Sequence, residues 1–288
     1  MNKARFMLLG MGLMFQAAYA TPLHIDEITV KTGHYYVGPV FGQQPYAEHA
    51  NTSLVAYNIM TTAVTYRFYH DLLAWATEHG YMIDGGCNGA HFEDCLAPEQ
   101  DDGKHPVTNV SWWDAIIFAN ALSARQGLTP YYLARDGQPL KQQPEPDAEQ
   151  TIRTAPDASG YRLPSRNEWE VAARGGAPGL ANRTYGFYYA GSNTPERVAH
   201  FASQEATTFG TRPVASKRPN ALGLYDMSGN VSQWLNDTVA VEGGKTLYLF
   251  CGGSYMTQGN LRSGCDAHTP GFMMSDIGFR LIRTRHEP

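Results

Sequence analysis

The sequence predicts an α+β fold built as a single loop-rich domain. Helical periodicity is confined to three segments before residue 177, and the remainder offers short apolar runs broken by Gly, Pro and Asn. Composition agrees: 29 Gly, 17 Pro and 17 Tyr stand against 17% charged residues, which favours turns and irregular backbone packed by aromatic rings. No internal repeat or linker divides the chain.

The first 20 residues read as an export signal. Lys3 and Arg5 precede the apolar run Phe6 to Phe15, and Ala18-Tyr19-Ala20 has the small-x-small pattern of a cleavage site. Residues 21–288 are then the folded domain, expected in the periplasm or outside the cell. No later run approaches the roughly 20 apolar residues of a membrane span. Residues 27–39 alternate β-branched and aromatic side chains up to Gly38-Pro39, predicting a first strand, and a second is expected around Leu54–Met60. From Val64 to Thr77, Tyr66, Tyr69, Leu72, Leu73 and Ala76 recur at helical spacing, with Gly80 as the stop.

Residues 82–105 form a Gly- and acid-rich loop pinned by its own cysteines. A second helix follows Ser111 through Trp113, Ile116, Ile117, Ala119, Asn120 and Leu122, until Gly127 and Pro130 break it. Residues 134–159 are polar and Pro-rich, so a surface loop is expected. The third helix starts after Pro164, where Ser165 lies three residues ahead of Glu168 in a capping box, and it ends at Gly175-Gly176. No helix is expected beyond that point.

A net charge of -5 and a pI near 6.0 give no electrostatic reason to expect nucleic acid or an anionic membrane as partner. Export makes disulfides the default reading of Cys87, Cys95, Cys251 and Cys265. Proximity favours Cys87–Cys95 and Cys251–Cys265, although three connectivities exist. Each such short loop would contribute roughly 2.5–3 kcal/mol in the chain-entropy model. A dithiolate metal site is the alternative, and it lacks the CxxC spacing such sites commonly show.

Five segments in order resemble the formylglycine-generating enzyme, or sulfatase-modifying factor, family. They are His105-Pro-Val-Thr-Asn-Val-Ser-Trp-Trp-Asp-Ala115, Tyr161-Arg-Leu-Pro-Ser-Arg-Asn-Glu-Trp-Glu170 with Ala173-Arg-Gly-Gly176, Arg212-Pro-Val214 with Pro219-Asn-Ala-Leu-Gly-Leu-Tyr-Asp-Met-Ser-Gly-Asn-Val231, Gly252-Gly-Ser-Tyr255, and Gly278-Phe-Arg280. The resemblance spans about residues 28–283 and implies the family's variant of the C-type-lectin-like fold. Its copper-dependent members use two cysteines shortly after Gly-Gly-Ser-Tyr. Here the first position is Thr257, and the second falls near Asn260–Arg262 or is deleted. A hydroxyl cannot replace a thiolate for Cu(I), so copper is not expected. Cys265 is similar to a structural cysteine of the family, which would make Cys251–Cys265 a staple of the core. The iron-binding His-x-x-x-His-x-Glu pattern of ergothioneine-type relatives is absent.

The resemblance also implies one calcium, held by Asp226, Gly229, Val231 and Gln233; the family usually has Glu at the last position, so the missing charge should weaken binding. A plain turn capped by Asp226 is the alternative. Around the expected site stand Tyr255, Thr257, Arg262, Asp266 and His268 as candidate catalytic residues. In an extended segment Asp266 and His268 share a face and form a candidate acid-base pair, or else sit in solvent. Arg280 and Asp114 are expected in a buried polar network, since a buried charge must be paired. Two functions follow from the resemblance. One is an oxidase-type maturation factor acting on a peptide-derived substrate, similar to the pyoverdine-maturation oxidase of siderophore synthesis. The other is a non-catalytic periplasmic module binding a partner protein, similar to regulators of type VI secretion.

Overall fold

The alternating residues near the N-terminus form a two-armed antiparallel ribbon that breaks at the same level on both arms. In this computed structural model, which describes residues 23–38, 50–91, 94–95, 103–145, 152–202, 210–257 and 264–285, Glu27–Val30 pairs with Tyr57–Met60 and Gly33–Val37 with Ala50–Leu54. The export signal and Arg262 lie outside the described residues. The strand expected over 27–39 is therefore two strands, and the one expected around 54–60 is split as well. The Thr32 hydroxyl accepts the Ala56 N–H at 2.9 Å and so satisfies an amide freed by the break.

Tyr57–Met60 is paired on its other side by Ile282–Thr284, which in turn pairs with Tyr161–Arg162, completing a four-stranded antiparallel sheet. A second four-stranded sheet runs in the order Cys265–His268, Thr246–Cys251, Ser232–Ala240, Ile277–Gly278. Its last pairing is parallel, setting Ser232 opposite Ile277 and Gln233 opposite Gly278. A bulge between Trp234 and Thr238 turns three consecutive residues toward the helices. Leu235 O accepts the Trp112 indole N–H at 2.8 Å, Asn236 Oδ1 accepts the Tyr132 hydroxyl at 2.9 Å, and Asp237 Oδ2 accepts the Arg166 N–H at 2.7 Å. The last places an anion at a helix N-terminus, where the dipole favours it.

The helices are α1 (Tyr66–Glu78), α2 (Trp112–Arg125), α3 (Arg166–Ala173) and α4 (Gly176–Ala181). Helices α2 and α3 start where Ser111 and Ser165 lead the sequence to expect, and α1 starts two residues inside the expected segment. Thr65 accepts the Phe68 N–H, and both Ser111 with Asp114 and Ser165 with Glu168 form reciprocal capping boxes. Asp114 is thereby buried at a helix start, as a member of the expected polar network. The expectation of no helix after residue 176 is overturned by α4 and by a 3₁₀ turn at Pro195–Arg197. The sequence of α4 is Gly-Ala-Pro-Gly-Leu-Ala, whose low propensity hides it, and tertiary packing overrides that propensity. The loop of 82–105 carries short strands at Cys87–Asn88, Ala90–His91 and Asp94–Cys95, and that of 134–159 one at Arg153–Thr154.

Helix α2 is buried on nearly every side, as its apolar residues on all faces require. It centres one core with Tyr69, Leu72, Trp234, Phe279 and Leu281. A second core gathers Trp169, Val171, Tyr57, Ile59, Leu235 and Ile282 between α3 and the first sheet. Cys87–Cys95 and Cys251–Cys265 are disulfides, the second joining directly opposed residues of neighbouring strands. Among the described residues no helix is long and apolar enough to cross a membrane.

Asn120 lies wholly inside α2's core. Its Nδ2 donates to Tyr132 O at 2.7 Å and Leu140 O at 2.9 Å, and its Oδ1 accepts the Tyr132 N–H at 3.1 Å. Asn120→Ala leaves three backbone groups without this partner, so it should cost about 2–4 kcal/mol in urea unfolding. A loss under about 0.5 kcal/mol would contradict the role given to this side chain.

Candidate functional site

Strand Thr246–Cys251 ends at Gly252-Gly253, whose φ angles of 104° and 65° suit glycine and turn the chain sharply. A Cβ on Gly252 would also lie 3.0 Å from the Trp169 ring. The turn buries Ser254 completely. Its hydroxyl donates to Asp276 Oδ2 at 2.6 Å and accepts the Met256 N–H at 3.1 Å, while its own N–H donates to Thr257 Oγ1 at 3.0 Å. Thr257, standing where the resemblance places a copper-binding cysteine, thus closes the turn with its hydroxyl. Tyr255 points into the core, its hydroxyl 3.1 Å from Ser275 Oγ, and is not on the cleft wall.

The cleft is a cavity of about 380 Å³ between strand Cys265–His268 and residues 272–277. Its wall includes Asp266, His268, Phe250, Phe272, Thr257 and Asp276. Asp266 and His268 do share this face, as their spacing predicts, yet each is engaged by its sequence neighbour. Asp266 Oδ1 accepts the Ala267 N–H at 2.8 Å, and His268 Nδ1 lies 3.1 Å from Thr269 Oγ1 with its ring stacked on Phe272 at 3.6 Å. Strand Cys265–His268 is the edge of its sheet, so the Asp266 carboxylate covers an edge amide, a common protection of such strands.

Asp276 is the group the sequence reading missed. Burial pushes its carboxyl above the usual carboxylate range, against the pull of the Ser254 hydrogen bond, and its Oδ1 is buried without a hydrogen-bond partner. No spacing rule links residue 276 to residue 254. The parallel pairing of Ser232 with Ile277 brings them together, and that pairing is invisible in sequence. Among the described residues, no three His, Cys, Asp or Glu side chains are grouped to hold a metal ion.

Two of the residues implied for calcium, Gln233 and Asp226, are engaged by hydrogen bonds within the chain. Gln233 Oε1 already accepts the Trp169 indole N–H at 2.9 Å and the Arg280 Nε–H at 2.8 Å, and Gln233 Nε2 donates to Asp226 O at 2.9 Å. Asp226 Oδ2 accepts the Ala215 N–H at 2.8 Å. Arg280 joins the buried network as expected, through Gln233 and three backbone carbonyls.

A mixed fold with a helix-backed sheet, a Gly-Gly-Ser-Tyr turn and a cleft beside it defines a family rather than a reaction. The chain belongs to the sulfatase-modifying factor family: residues 16–285 match the Sulfatase-modifying factor enzyme 1-like domain. The crystal structure of CarF is 58% identical, with a TM-score of 0.85, and the match covers 91% of this chain and 99% of that one. The chaperone protein LppX of Paenibacillus barcinonensis is 36% identical over 148 residues, 46% of this chain and 51% of its own. The formylglycine-generating enzyme of Streptomyces coelicolor is 28% identical over 230 residues, 75% of this chain and 58% of its own. The chain thus spans little more than half the length of these two relatives.

The Asp276 shift sets a pH signature. With its folded pKa above the unfolded one, the native state binds the extra proton, so its contribution is present at low pH and is lost as pH rises past 3.8 toward the folded value. Asp276→Asn keeps the Ser254 acceptor without the titration. Urea unfolding across pH should therefore show the variant gaining on the wild type as pH rises, whereas parallel curves would show that burial does not shift this carboxyl.

Proposed function

We propose that this chain is an exported maturation factor that binds a peptide-derived substrate in the cleft beside the Gly252–Thr257 turn. The supporting observation is Asp276: a carboxyl whose pKa burial raises, with one oxygen lacking a partner, on the wall of a cavity that fits a side chain or a peptide end. A ligand N–H or O–H would satisfy that oxygen, and Phe250, Phe272 and His268 offer flat faces on which an aromatic or amide group packs. The two disulfides accord with an oxidising compartment and so with the export signal. The chemistry assigned is oxidase-type: the bound substrate gives up two electrons and two protons, dioxygen takes them as hydrogen peroxide, and Asp276 relays one of the protons, a role the sequence offers to Tyr255, Arg262, Asp266 or His268. The chain is not a copper-thiolate formylglycine generator, because Thr257 supplies a hydroxyl that the turn itself uses.

A second reading is favoured by the local engagement of Asp266 and His268 and by the similarity to a protein named a chaperone. In it the cleft holds a partner protein without turnover, as a periplasmic regulatory module would. An affinity selection of peptides on the wild-type protein, counter-selected on Asp276→Asn, separates these readings. Selected peptides should bind the wild type at least about tenfold tighter, the factor expected from losing one well-placed hydrogen bond. Equal affinity for both proteins would remove Asp276 from the site. Dioxygen uptake with a selected peptide supports the oxidase; binding without uptake or reduction of an added acceptor supports the module.

A further inference from the structure

Asp226 to Gln233 is the turn at which the resemblance implies a calcium ion, and hydrogen bonds already occupy it. Gln233 is fully buried, and the orientation of its amide is fixed by chemistry. Two N–H donors, from Trp169 and Arg280, meet one end of it, so that end must be the oxygen; a rotated amide would set N–H against N–H. The other end therefore presents an N–H, and it spans the 2.9 Å to Asp226 O. The side chain thus offers this turn a donor where a calcium ligand would offer a lone pair.

A calcium ion needs six to eight oxygens. Here the amide oxygen of Gln233 is spent on two donors, the Asp226 carbonyl on a third, and one carboxylate oxygen of Asp226 on the Ala215 amide. Asp226 Oδ1 is the side-chain oxygen of the set that is buried without a partner, and with the Gly229 and Val231 carbonyls it makes three oxygens, short of a calcium shell. A fixed positive charge is present as well. The guanidinium of Arg280 is completely buried beside this turn, donating to Tyr225 O at 2.6 Å, to Met60 O at 3.0 Å and to Thr61 O at 3.2 Å. A dication added here would meet like charge as well as an inward N–H.

We propose that Gln233 and Arg280 make this turn independent of calcium, the amide N–H and the guanidinium together supplying the positive potential that a bound dication would otherwise supply. The glutamine is the deciding residue. Glu at 233 would put a carboxylate oxygen against Asp226 O across the distance now bridged by the N–H, and two oxygens at that separation repel unless a cation lies between them.

Thermal melts and isothermal titration with calcium on the full chain, wild type and Gln233→Glu, test this. The wild-type Tm should agree within about 2 °C between excess chelator and millimolar calcium, with no stoichiometric heat of binding. Gln233→Glu should melt lower than wild type in chelator and recover by roughly 3 °C or more in calcium. A calcium-dependent rise of that size in the wild type, or stoichiometric binding to it, would overturn the proposal. So would a Gln233→Glu protein that is as stable as wild type in chelator. If Gln233→Glu does not fold in either buffer, the wild-type titration decides alone.

Discussion

The guanidinium of Arg280 is the point on which the architecture turns. It is 0% exposed and its pKa is pushed down to about 10 by burial, a measure of how unfavourable its surroundings are for a bare charge. That burial is tolerable because the side chain reaches Gln233 in one sheet, Met60 in the other, and Thr61 and Tyr225 in the connecting loops. Removing it would take a donor from four acceptors at once, of which Gln233 Oε1 would keep the Trp169 indole and Thr61 O the Tyr225 amide. The Gly-Phe-Arg segment therefore fixes the spacing of the two sheets, with Phe279 packed against α2 on one side and Arg280 facing the loops on the other.

The cleft inherits its shape from this arrangement. Ile277–Gly278 is held parallel to Ser232–Ala240, and residue 276 has to fall beside the turn that follows Thr246–Cys251. Ser254 and Asp276 come together for topological reasons, before any ligand is considered. The same packing explains why Thr257 is not an idle replacement. Its hydroxyl takes the Ser254 N–H, and Ser254 in turn holds the carboxyl on the cleft wall.

How much of this was legible in the sequence depended on the range of the interaction. The starts of α2 and α3 were readable because Ser111 and Ser165 cap them from just ahead of the periodic run, α1 only from its periodicity, and the disulfides because each pair is close along the chain. The family was readable from long ordered motifs. The breaks at Lys31-Thr32 and Val55-Ala56 were hidden, since the Ala56 amide is satisfied by Thr32 of the opposite arm. Helix α4 was hidden by its glycines and proline. Asp276 was hidden because its partner is 22 residues away, and Tyr255 was misread because motif position says nothing of which way a ring turns. Asp266 and His268 were placed correctly on one face, but only the hydrogen bonds show that their neighbours engage them.

The first sheet joins strands from opposite ends of the described chain, with Tyr57–Met60 held between Glu27–Val30 and Ile282–Thr284. The Arg280 bond to Met60 alone spans 220 residues. During synthesis the early strands therefore emerge long before the segment that completes their sheet, and neither core can close until residues 277–284 have left the ribosome. The first sheet thus waits for a late segment before its central strand is paired on both sides.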